Sequence, residues 1–219
     1  MTGHNKGNPA GEWWLKPIGS ADLRQEAAES AESGNAEGFL YYVPDAFKLK
    51  VVFRNTERLI RFGLYERALV AAFPECWLNN RNSYSILGKL FGRADRNRLL
   101  DAGDTLPGKG PFTLYRGVAG NGRSRHVRGW SWTRNIETAK GFAVLFDLPK
   151  PAVFTTTVKA SDVLIYLEEG GEDEFIVDAA PLSLRKIWTG DPASDEMRKL
   201  LRDREIKVPE IQRGGWWRH

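Results

Sequence analysis

Leu164–Val177, LIYLEEGGEDEFIV, is the stretch on which the reading of the fold turns. It reads as a strand, a turn carrying Gly170 and Gly171, and a second strand opening with Glu172-Asp173-Glu174. Residues i and i+2 of a strand share a face, which sets Glu172 and Glu174 on one side, roughly 7 Å apart by strand rise. Ile176 continues that face toward a core, so the two acids border a cleft. The plain alternative is a solvated acidic hairpin, because Glu168, Glu169, Glu172, Asp173 and Glu174 also form a charge run.

Working outward, Phe112–Val118 (FTLYRGV) alternates like a strand, with Phe112, Leu114, Arg116 and Val118 on one face. An arginine among apolar neighbours needs a carboxylate or an anionic ligand. Gly117 beside it lets a ligand approach the backbone. A structural arginine–carboxylate pair explains the same residues. Arg128–Thr133 (RGWSWT) predicts a second short strand, with Ser131 and Thr133 on one face and Trp130 and Trp132 on the other. Hydroxyls backed by aromatics suit a ligand site, and equally an edge strand with tryptophan in the core.

Asn135 caps a predicted helix to about Phe146, with Ile136, Ala139, Ala143 and Phe146 on one side. Short strands follow at Val153–Val158, Val163–Leu167, Glu174–Val177 and Leu184–Trp188. Ser194 opens a last basic helix to about Ile206. Upstream, residues 1–38 read as a polar tail, partly flexible, in which Asp22–Gly38 is either an exposed helix or a loose segment and Trp13-Trp14 dock on something. Residues 39–111 read as a helical subdomain and linker. Thr56–Phe73 has apolar residues three and four apart and predicts one amphipathic helix. Ser85–Leu100 predicts another, Phe47–Phe53 is open between strand and helix, and the Gly/Pro-rich 101–111 marks a boundary. The fold class is α+β, a helical N-terminal part followed by a mainly β domain at 112–219.

At 219 residues, 42% hydrophobic and 27% charged, the chain can bury a sizeable core. The single cysteine, Cys76, excludes an intrachain disulfide and fits a reducing compartment. His4 and His126 leave no convincing metal-ligand set. No apolar leader or span of 18 apolar residues is present, so a cytoplasmic protein with no membrane partner is expected. A formal charge of +4 and a pI near 9.2 are compatible with a nucleic-acid partner.

The order Arg116, Ser131-Trp132-Thr133, Glu172-Asp173-Glu174, each on a short strand, resembles the ADP-ribosyltransferase family with the Arg / Ser-x-Ser(Thr) / Glu-x-Glu signature. The helix with Ala139, Phe142 and Ala143 also fits that pattern, and the resemblance covers roughly residues 112–190. It implies a split, mixed or antiparallel sheet and NAD as co-substrate, without a metal. It further implies that Glu174 stabilises the oxocarbenium-like state as the nicotinamide–ribose bond breaks, that Ser131 orients Glu174, and that Glu172 activates the acceptor. Arg116, Gly117, Ser131, Trp132, Thr133, Phe142 and Glu174 are the implied NAD contacts. Arg116 holds phosphate or ribose, and Gly117 meets the nicotinamide amide. Trp132, a large residue inside Ser-x-Thr, either shapes the nicotinamide pocket or packs the sheet. Glutamate at the position of Glu172 goes, in the family, with arginine acceptors.

The resemblance therefore implies a mono-ADP-ribosyltransferase of toxin or effector type. It acts on a protein side chain or a nucleic-acid base and is held in check by an antitoxin or immunity protein. Two alternatives stand beside it, an NAD glycohydrolase on the same fold and an inactive nucleic-acid-binding relative. Lys109, Arg116, Arg123, Arg125, Arg128 and Arg134 lie between Thr105 and Ile136 with no acid among them, and Arg54, Arg58 and Arg61 recur at helical spacing. Such stripes suit phosphates or a solvated face.

Overall fold

The computed structural model describes residues 13–73, 84–145, 148–169, 172–191, 194–197 and 199–200. It divides into two compact units, residues 1–103 and 104–219, within the Gly/Pro-rich boundary at 101–111.

The first unit is helical. It contains α1 (Ala21–Glu32), α2 (Ala36–Tyr41), α3 (Asp45–Arg54), α4 (Thr56–Arg61), α5 (Tyr65–Ala72), α6 (Tyr84–Phe91) and α7 (Arg96–Asp101). The segment expected as a polar tail to residue 38 carries α1, and Trp13, Leu15, Ile18, Ala27 and Ala31 are buried. Alanine supplies the buried stripe of α1 with little hydrophobicity, which is why its sequence looks wholly polar. Trp13 packs against Phe39 and Phe62, with ring centroids 4.9 and 5.6 Å away. Next to it, the buried Asn55 side chain accepts from Trp14 N at 2.8 Å and donates to Trp14 O at 3.0 Å. One amide thus replaces a strand partner for the incoming chain.

The helix expected over Thr56–Phe73 is two helices. Gly63 adopts φ +69°, Leu64 N bonds Leu59 O at 2.8 Å, and Gly63 N bonds Ile60 O at 3.0 Å. This is a Schellman ending of α4, closed by the buried Leu59 and Leu64. The apolar residues Leu59, Tyr65, Leu69 and Phe73 remain buried because the break preserves their side of the chain. Ser85–Leu100 likewise splits at residues 92–95, where Asp95 Oδ1 accepts from Arg98 N at 3.0 Å and caps α7. Phe47–Phe53, open in the sequence, is helical within α3.

The second unit is a six-stranded antiparallel sheet with one longer helix. Its elements are β1 (Phe112–Val118), β2 (Ser131–Thr133), α8 (Ile136–Val144), β3 (Ala152–Val158), β4 (Val163–Glu169), β5 (Glu172–Val177) and β6 (Arg185–Thr189). The spatial order is β4-β5-β2-β1-β3-β6, and all five neighbouring pairs are antiparallel. Alternation in FTLYRGV buries Phe112, Leu114 and Val118. The second strand begins only at Ser131, three residues later than expected, because 126–129 form a turn with Gly129 N on His126 O at 2.9 Å. As expected, Asn135 caps α8, accepting from Glu137 N at 2.8 Å and Thr138 N at 3.3 Å. Asp104 runs beside the outer edge of β4, its N–H on Tyr166 O and its carboxylate on Glu168 N, both at 2.8 Å. That covers part of an otherwise open strand edge.

Phe146, Cys76, Pro74 and the Gly170-Gly171 turn lie outside the described residues, as do residues 1–12 and the far end of the expected last helix. Ser194 does accept from Met197 N, at 3.1 Å. Among the described residues no helix is long and apolar enough to cross a membrane.

Candidate active site

The three segments singled out in the sequence lie on β1, β2 and β5, which the sheet order makes consecutive neighbours. Register then assigns faces, because directly opposed residues of paired strands point the same way. Thr133 opposes Glu174 on β5 and Tyr115 on β1, and Ser131 opposes Ile176. Ser131, Thr133 and Glu174 therefore share one face. Glu174 is half-buried there, with Thr133 as its direct neighbour and Ser131 on the diagonal. The backbone of Glu172 pairs with Glu169, and the Glu172 side chain lies outside the described residues.

Thr133 is buried, and its Oγ1 accepts from Asn135 N at 3.0 Å. Its hydroxyl thus starts the turn into α8. Trp132, 1% exposed, is on the opposite face against Phe175, and its Nε1 donates to Gly129 O at 2.9 Å. The side chain left open between pocket and packing is part of the packed sheet. Phe142 is half-buried on α8.

Arg116 is also half-buried, on the face opposite Glu174 by alternation. β1 and β2 pair at a single position, Tyr115–Thr133, while β1 runs paired with β3 along its whole length. Beyond that position the guanidinium spans from β1 to β2: Nη1 donates to Ser131 O at 2.5 Å and Nε to His126 O at 3.1 Å. The Cβ of any side chain at Gly129 would sit 2.2 Å from Arg116 Nη2, so that glycine admits the guanidinium flat on the backbone. Sequence reasoning supplied Arg116 with a carboxylate or a ligand; here backbone carbonyls take two of its donors. Lysine cannot serve both carbonyls with a rigid fork. Arg116→Lys is expected to cost about 1–2 kcal/mol of stability in urea denaturation.

Gly117 lies where α8 crosses β1, its missing Cβ directed at Ala139 O. Close helix packing accounts for this glycine without a ligand.

Asp173, read only as part of the acidic run, has a separate role. It points away from Glu174 and accepts from Tyr166 Oη at 2.6 Å and from Arg134 Nη2 at 2.9 Å and Nε at 3.2 Å. Burial pushes its carboxyl up, but the Tyr166 hydroxyl and Arg134 outweigh burial and leave it below its ordinary value. Burial first, then the Asp173 carboxylate, push the Tyr166 hydroxyl up. The alternation that turns Glu172 and Glu174 one way turns Asp173 the other, which was the available signal. Its partner Arg134 could be named only once β2 was registered against β5. A carboxylate with a lowered folded pKa adds stability above its unfolded value, about 3.9, and that stability is lost as pH falls through the folded pKa. Tyr166→Phe is therefore expected to cost about 1–2 kcal/mol at neutral pH. The gap to the parent chain should shrink in denaturation curves taken in acid.

The basic stripe at 109–134 is largely consumed inside the fold. Arg116 is held as above and Arg134 is paired with Asp173. Arg125 donates to Lys150 O at 2.8 Å. Arg128 Nη1 donates to Ala179, Ala180 and Leu182 carbonyls at 2.6, 2.9 and 2.8 Å, clamping the segment after β5. Comparison of the chain with protein-family models, with curated proteins and with solved structures found no match.

Proposed function

We propose that the chain is a mono-ADP-ribosyltransferase, cleaving NAD and passing ADP-ribose to a macromolecular acceptor. The observation that carries this reading is the strand order. Segments separated by up to about 60 residues in sequence, with Arg116, Ser131-x-Thr133 and Glu172-x-Glu174, are consecutive neighbours in one sheet. A charge run or an isolated structural arginine gives no reason for that adjacency.

In this reading NAD lies along the face of Ser131, Thr133 and Glu174. The bond from ribose C1′ to the nicotinamide nitrogen breaks, and its electron pair leaves with nicotinamide. The Glu174 carboxylate, fixed on a strand, faces the positive charge that develops on the ribose. The acceptor nucleophile then bonds C1′ and gives up a proton, a task assigned to Glu172 on the resemblance. Arg116 joins β1 to β2 and so holds Ser131 in position from behind; a phosphate contact from the same guanidinium belongs to the resemblance. Action in the cytoplasm, and control by an antitoxin or immunity protein, are further parts of the same reading.

The test is incubation of the full chain with NAD labelled in the adenosine half and a bacterial lysate, followed by separation of protein, RNA and DNA. Label in one fraction, absent with the Glu174→Gln chain, supports transfer and names the acceptor class. Nicotinamide release with every fraction unlabelled would make water the acceptor and overturn the transferase reading.

A further inference from the structure

We propose that a basic cleft inside the helical unit binds the phosphate backbone of single-stranded nucleic acid. The cleft encloses about 770 Å³ between the α3–α4 junction and the end of α6. Its cations are Arg54, Arg58, Arg61, Lys89 and Arg93, and its one carboxylate is Glu57. Glu57 is already hydrogen-bonded to Arg93. Among the described residues no carboxylate lies within ion-pair reach of Arg54, Arg61 or Lys89. Five positive groups around one hollow repel one another, and such an arrangement calls for an anion.

Arg58 sharpens the point. Its side chain is only 11% exposed, yet Nε and Nη1 are buried with no hydrogen-bond partner among the described residues. Its guanidinium lies 4.2 Å over the Trp13 ring, and the nearest carboxylate oxygen, on Glu32, is 3.4 Å from Nη2. Burial, partly offset by Glu32, pulls its pKa down. Those two N–H groups are closed off from the cleft, so Arg58 contributes to the site through its positive charge, held beside the hollow by Trp13 and Glu32.

The shape favours a strand over a lone phosphate. The volume is of the size that holds a nucleotide or more. The cations come from three helices, α3, α4 and α6, and from the turn after α6, so they neutralise more than one phosphate. Phe53, 37% exposed, lines the same hollow and offers a face for a base to stack on. The stripe at 109–134, the other basic candidate, has most of its described arginines tied to carbonyls or to Asp173. Binding by the cleft stands without the NAD chemistry; that the bound strand is the acceptor rests on the reading above.

The experiment is fluorescence anisotropy of the full chain with a labelled single-stranded RNA of about 12 nucleotides, between 50 and 200 mM salt, both being on the order of typical site sizes and salt ranges. The comparison chain carries Arg54→Ala, Arg61→Ala and Lys89→Ala; Arg58 is left in place because Trp13 packs on it. The parent chain should bind, with a log–log salt slope of about −2 to −3. The triple variant should bind at least about tenfold more weakly, with the slope reduced by about 2, while circular dichroism stays unchanged. It should also release nicotinamide from NAD at the parent rate when RNA is absent. No binding by the parent chain, or an unchanged affinity and slope in the variant, would overturn the proposal. So would displacement of the RNA by ADP at equal phosphate concentration, which would make the cleft a site for free nucleotides. RNA binding with no NAD turnover would leave the cleft standing and remove the reading of the sheet.

Discussion

Glu174→Gln is expected to lower nicotinamide release from NAD by on the order of a thousandfold, with the melting temperature little changed. The amide has nearly the volume of the carboxylate, and Glu174 is half-buried on β5 between Thr133 and Leu167, so packing is preserved. Only the charge is removed. A fixed charge facing a developing ribosyl cation acts where water is excluded, and deleting one such group typically costs a factor of about 100–1,000. Release assays on matched samples, alongside thermal melts, decide it. A variant of full activity would show that Glu174 is not the stabilising group. Equal loss of activity and melting temperature would make it structural.

The second large effect is on folding. Gly117→Ala adds a Cβ that would sit 1.7 Å from Ala139 O and 2.7 Å from Ala143 N, both backbone atoms of α8. Neither can move aside without lifting the helix from β1, where Ala139 and Ala143 are themselves buried. Overpacking against backbone is expected to cost about 3 kcal/mol or more, and to lower the melting temperature by on the order of 10 °C. Gly141, within α8, is the internal control, because an added Cβ there meets nothing within 4 Å. Gly141→Ala should gain up to about 1 kcal/mol, the usual cost of glycine in a helix. If both substitutions behave alike, the packing of α8 on β1 is not as described.

The strands of the second unit were legible because period-two alternation in FTLYRGV and in the segments after Pro151 has a single physical meaning, a half-buried pleated surface. The helix after Asn135 was legible through its cap. The break at Gly63 was not, because a Schellman turn can leave the apolar residues on the same side and so imitates a continuous helix. Gly63 itself was the overlooked signal, as Gly92 and Asp95 were in the next segment. In the candidate site, the shared side of Ser131, Thr133 and Glu174 followed from alternation plus register. What sequence could not supply was the long-range partner of each charge. Arg128 reaches carbonyls more than 50 residues away, Arg134 reaches Asp173, and Arg116 closes on Ser131 O. Backbone carbonyls carry no residue identity, so an arginine that binds them leaves no trace in the pattern.

The most direct measurement is nicotinamide release from NAD by the purified full-length chain in the presence of a bacterial lysate, with the Glu174→Gln chain in parallel. The account expects release by the parent chain and almost none by the variant. Release indistinguishable between the two, or none from either together with no heat of NAD binding, would contradict it.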